Sequence, residues 1–129
     1  MTLPLPESDP AAPIDARAWQ ALSLRWAALH DAAGAVAALA ELAQEKPDLA
    51  VRAFPSRVRD SGARRFRPIE QGVADIAAIM QPGLAALLAV RARGQDATAP
   101  ALPLWQEFHA ARAAVMRLLP DDGTRLRSA

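Results

Sequence analysis

Trp19, Leu22, Trp26, Leu29, Ala33, Val36, Ala40 and Ala43 recur at alternating spacings of three and four. That spacing sets them on one face of a helix, and a face holding two tryptophans has to be buried against other helices. A lone helix in water cannot carry such an apolar load. The stripe also tapers from tryptophan to alanine. It predicts a bulky end to the packing near Trp19 and a close-packed end near Ala40.

The rest of the chain supplies the helices that cover this face. At 129 residues it forms one domain, large enough to bury a core without disulfides or metal. About a quarter of it is alanine, the best helix former. The first helix is expected from Asp15, a candidate N-cap, to about Lys46. Pro47 suits the first turn of a second helix, with Asp48 near its positive end. Leu49, Val51, Phe54 and Val58 give that helix an apolar side; Pro55 kinks or divides it, and Ser61-Gly62 closes it.

Ala63 to Arg67 reads as a basic connector and Pro68 as the opening of a third helix. Ile69, Val73, Ile76, Met80, Leu87 and Val90 keep helical phase across Pro82-Gly83, which favours one helix kinked at Pro82 over two separate ones. Gly94 is its expected C-cap, after the basic turn of Arg91 and Arg93. Gln95 to Pro103 reads as a loop. The last helix carries Leu104, Trp105, Phe108, Val115, Leu118 and Leu119, and Pro120 ends it. No strand pattern, internal repeat or glycine-rich phosphate loop occurs. The expected fold is all-α, an up-down four-helix bundle of three long helices and one short broken one. It occupies residues 14–120, between a flexible proline-rich tail at 1–13 and a polar tail at 121–129.

Composition narrows the functions available. The chain has no cysteine, which removes disulfides, thiolate metal sites and a cysteine nucleophile. Lys46 is the only lysine among fifteen basic residues. Asparagine and tyrosine are absent too, as codon bias in a GC-rich genome would leave them, so arginine preference alone says little about phosphate. The net charge of +1 provides no global field toward nucleic acid or membrane. The N-terminus lacks the basic start and apolar run of a signal peptide. No uninterrupted apolar stretch nears the length of about 18 residues that spans a bilayer. A cytoplasmic protein with no membrane partner is the expectation.

Two groups of residues carry chemistry. His30 flanks the buried stripe one turn beyond Trp26, followed by Asp31 and, four positions on, Gly34. The run Leu29-His30-Asp31-Ala32-Ala33-Gly34 resembles the phosphorylated helix of histidine-phosphotransfer domains, although Ala33 stands where those domains carry lysine. The resemblance implies a phosphoryl-accepting imidazole at His30, Asp31 as a neighbouring base, and room over Gly34 for a receiver domain. The second group is Arg52, Arg57, Arg59, Arg64, Arg65 and Arg67, six arginines within sixteen residues, opposed by Asp60 alone. Such a patch can dock an acidic partner or contact the phosphates of a nucleic acid.

Glu107 and His109 sit two apart, on different faces, and no Glu-x-x-His pair occurs, so neither metal nor other cofactor is expected. The serines lie in no nucleophile context. Trp19, Trp26 and Trp105 exceed what an alanine-lined interior needs, and tryptophan is enriched at interface hot spots. Leu24, Leu39 and Leu42 widen the apolar arc of the first helix, which suggests a homodimer. The expected function is therefore a non-catalytic interaction or adaptor module acting through the arginine-rich segment 52–67. Phosphotransfer through His30 and polyanion binding are the alternatives.

Overall fold

In the computed structural model, residues 14–43 and 48–119 are described, and they form four helices with no strand. These are α1 (Ala16–Leu39), α2 (Leu49–Ser61), α3 (Ala63–Ala92) and α4 (Thr98–Met116). The two tails, Pro47 and the region around Lys46 lie outside the described residues. Most of the expected stripe is buried: Leu22, Trp26, Leu29, Ala33, Val36 and Ala40 lie in the core, Trp19 is half-buried, and Ala43, beyond the end of α1, is exposed. α1 packs most extensively on α3, α3 touches every other helix, and α2 and α4 flank that central pair. Among the described residues the enclosed side chains are all apolar; Phe54, Val58, Ile69, Val73, Met80 and Phe108 are almost wholly shielded from solvent.

Several boundaries differ from the sequence expectation, each for a local reason. α1 stops at Leu39 instead of near Lys46, because Glu41 adopts a left-handed φ of 59°. The Leu42 N–H then donates to the Ala37 carbonyl at 2.9 Å and the Glu41 N–H to Ala38 at 3.1 Å. This is a Schellman motif, with Leu42 folded back onto the core. Gly94, φ 77°, ends α3 by the same pair of bonds: Gln95 N–H to Val90 O at 3.1 Å, and its own N–H to Arg91 O at 2.9 Å.

The expected basic connector is helix. Only Gly62, with φ 91° and ψ 170°, separates α2 from α3, and Ala63 to Arg67 form the first turns of α3. Pro68 therefore lies inside α3 rather than opening it. α4 begins at Thr98, not after Pro103. Asp96 starts it by accepting from the Thr98 N–H at 2.9 Å and the Thr98 hydroxyl at 2.7 Å. Pro100 falls in the first turn, where amides have no helical partner to lose.

α2 is continuous through Pro55. A proline cannot donate to the carbonyl four residues back, here that of Val51, and the Trp26 indole N–H fills that place at 2.9 Å. Trp19 donates likewise to the Pro55 carbonyl at 2.7 Å. α3 is also unbroken across Pro82-Gly83. There the unpaired carbonyl belongs to Ala78, and both Ala78 and Pro82 are exposed, so water can satisfy it.

Glycines fix the approach of α4. A Cβ on Gly72 would lie 2.6 Å from Val115 Cγ2, and one on Gly83 would lie 2.7 Å from Leu104 Cδ2. Gly72 and Gly83 are eleven residues apart, as are Leu104 and Val115, and they pair in reverse order. The two helices thus run in opposite senses along three turns of close contact.

α3 is long and apolar enough, by length and composition, to cross a membrane. The run is not uninterrupted: Asp75 and Gln81 break a segment otherwise made of Ala, Leu, Ile, Val, Met, Pro and Gly.

Candidate functional site

The six arginines separate into roles. Arg59 lies over the Trp19 ring, 5.0 Å from its centroid, and its Nε pairs with Asp60 at 3.4 Å. Arg65 Nη1 donates to the Leu118 carbonyl at 3.0 Å, holding the end of α4. Arg57 is half-buried and engaged within the fold. Arg52, Arg64 and Arg67 are exposed. The last two, one helical turn apart, share a face of α3.

This placement opposes the helix dipole. The first turns of α3 carry Arg64, Arg65 and Arg67, there is no acid in the first turn, and Gly62 offers no side chain to cap it. Cations at a helix N-terminus are unfavourable by about 0.3–1 kcal/mol each. The N-terminal amides and the arginines together present an anion-attracting end.

His30 and His109 come together, which spacing along one helix could not show. The link is Arg112, a residue the sequence reading missed. Arg112 Nη1 is 3.2 Å from His30 Nε2, and Nη2 is 3.3 Å from His109 Nδ1. His30 Nδ1 lies 2.7 Å from the Trp26 carbonyl. A carbonyl only accepts and a guanidinium only donates, so Nδ1 of His30 carries the proton and both facing ring nitrogens are acceptors. Each imidazole also rests on an indole: Trp26 to His30 at 4.9 Å and Trp105 to His109 at 4.1 Å between centroids. Arg112 sits over Phe108 at 5.4 Å.

Burial holds the His30 pKa below the ordinary histidine value. The Trp26 carbonyl opposes this, Arg112 adds to it, and Asp31 opposes it weakly. His109 is lowered by burial and then by Arg112 and His30. Burial also lowers Arg112, against the attraction of Asp48. Two neutral imidazoles accepting from one cation form a structural clasp between α1 and α4. A phosphoryl acceptor at His30 needs a free ring nitrogen, whereas Nδ1 is donating and Nε2 is accepting. Asp31 is exposed and Gly34 half-buried.

Trp26 is buried, and Trp19 and Trp105 are half-buried, all three used inside the fold as described. Of the leucines expected to widen the α1 face, Leu39 and Leu42 pack on the core while Leu24 is 72% exposed. Among the described residues no cluster of three or more His, Asp or Glu is placed to hold a metal ion. A third feature is a shallow apolar groove of about 330 Å³ between α3 and α4, where Ile79 and Leu118 meet Ala111 and Ala114 beside Asp75.

No protein-family model, no curated protein and no solved structure matches the chain.

Proposed function

We propose that the protein is a non-catalytic interaction module, an up-down bundle with α3 bent at Pro82, that docks an acidic segment of a partner protein on its arginine face. The single observation that carries this reading is the set of arginines on the uncapped N-terminus of α3, with Arg52 added from α2. A chain selected only for stability would place acids there. Three exposed arginines match a short acidic stretch. With a net charge of +1 there is no broad field of the kind that gathers a nucleic acid.

Trp19, under Arg59 on the adjoining surface, is a native fluorescence reporter of this docking. Titration with a glutamate-rich peptide at low salt is expected to change that signal with salt-sensitive affinity. Three rim ion pairs at about 0.2–1 kcal/mol each imply a loss of roughly 3- to 150-fold in the Arg52→Glu, Arg64→Glu, Arg67→Glu variant. Tighter binding of duplex DNA than of the peptide, with a steeper salt dependence, overturns the protein-partner reading. No binding of either overturns the arginine face itself.

A further inference from the structure

Between Asp75 and Arg91, α3 carries no charged residue, and Gln81 is its only polar side chain. Val73, Ile76, Met80 and Leu87 point into the core. Away from that core, Ala78, Ile79, Pro82, Ala85, Ala86 and Ala89 are exposed, with Ile79 at 36%. Leu88, half a turn round from Ile79, is 52% exposed on the other flank. An amphipathic surface helix turns charge outward, and one that is apolar all round is covered in the assembled protein. The α3–α4 groove continues this face sideways through Ala111, Ala114 and Leu118, the last 40% exposed.

The charges that bracket the face identify what covers it. Asp75 and Arg93 are 18 residues apart, five full turns at about 3.6 residues per turn, so both project from the same side of the helix. An antiparallel second copy of α3, related by a two-fold axis near Leu84, sets each Asp75 against the other copy's Arg93. The same register places Ile79 against Ala89 and Pro82 against Ala86, and the small side chains let the two backbones approach closely.

A lipid bilayer fits less well. Asp75 would face anionic headgroups, the exposed alanines offer little area to acyl chains, and full insertion of α3 would strip Val73, Ile76, Met80 and Leu87 from the core. We infer that the outer face of α3, with the edge of α4, is a two-fold homodimer interface closed by reciprocal Asp75–Arg93 ion pairs. It is independent of the arginine face, which the dimer would carry once at each end.

Sedimentation equilibrium of the full chain tests this by charge exchange, with circular dichroism confirming the fold of each variant. Wild type is expected to dimerise at micromolar concentration. Asp75→Arg is expected to weaken association about tenfold or more, and Asp75→Arg combined with Arg93→Asp to restore it to within about threefold. Three results overturn the proposal: a monomer at every concentration, a dimer indifferent to both substitutions, or capture of the monomer by uncharged phosphatidylcholine vesicles. None of these bears on peptide binding by Arg52, Arg64 and Arg67, so the two readings fail separately.

Discussion

Where α1 meets α2, two indoles reach across and donate to backbone carbonyls. Where α3 meets α4, glycines remove side chains so that Val115 and Leu104 can sit against bare backbone. The first seam is bulky, and its indoles satisfy the carbonyls they reach. The second is tight and mainly steric, with one hydrogen bond from Arg65 to the Leu118 carbonyl at its edge, and it spends none of the outer side of α3. Pro55 and Pro82 follow the same division: the carbonyl orphaned by Pro55 faces a tryptophan, and the one orphaned by Pro82 faces solvent. The α1–α2 side still exposes Leu24 and Leu49, but on α3 the exposed apolar residues run on over several turns with no charge between Asp75 and Arg91.

The largest expected effect breaks the first seam. Trp26→Ala should cost about 3–5 kcal/mol of unfolding free energy by denaturant titration, since it empties the centre of the core. Trp26→Phe isolates the hydrogen bond and should cost about 1–3 kcal/mol, because the buried Val51 carbonyl is then unpaired. In a Pro55→Ala background the backbone regains its donor, so the same Trp26→Phe change should cost clearly less. Equal costs in the two backgrounds would show that the indole does not stand in for the missing amide.

The second seam should break unevenly. Gly72→Ala drives a methyl into Val115, a buried side chain stiff at χ1, and should destabilise by about 1–3 kcal/mol. Gly83→Ala meets only the mobile end of half-buried Leu104, and helix propensity returns up to about 1 kcal/mol, leaving it near neutral. Equal penalties would mean that the closeness of approach does not set the cost.

Glu41→Gly should stabilise by up to about 1 kcal/mol, since glycine accepts the left-handed φ without a Cβ penalty. No change in denaturation midpoint would argue against strain at that turn.

The smallest effect is expected from the clasp between α1 and α4. Both histidine pKa values are lowered, so the unfolded chain binds protons first as pH falls. Stability is then full above the unfolded histidine pKa, about 6.5, and declines as pH drops through that value toward the folded ones. His30→Gln with His109→Gln should flatten the melting temperature between neutral and mildly acidic pH. An undiminished slope in that variant would assign the pH dependence to other groups.

How much of this could be read from the sequence depended on whether a residue's meaning was local. The buried faces of α1 and α3 were legible because periodicity alone dictates them, and Gly94 because glycine marks a left-handed helix end. Glu41 makes the same turn without the glycine that would announce it, so α1 was drawn too long. Ala63 to Arg67 looked like a connector because charge density resembles a loop, while the actual break needs one residue, Gly62. Arg112 carried only a weak signal, an arginine three positions after His109 on one helix face. Its contact with His30, 82 positions away, arises from packing. The arginine cluster was legible as composition. Its division between Arg59 and Arg65, which the fold uses, and Arg52, Arg64 and Arg67, which it leaves outward, was not.

The contrast between a finished seam and an unfinished face rests on what covers α3, and the absence of cysteine permits a direct measurement. A single Ala85→Cys lies beside the proposed two-fold axis, whereas Ala50→Cys, exposed on α2, lies far from it. Under mild oxidation at micromolar concentration, Ala85→Cys is expected to run as a disulfide-linked dimer and Ala50→Cys to remain monomeric. Equal cross-linking of the two variants, or none in Ala85→Cys, would contradict the account.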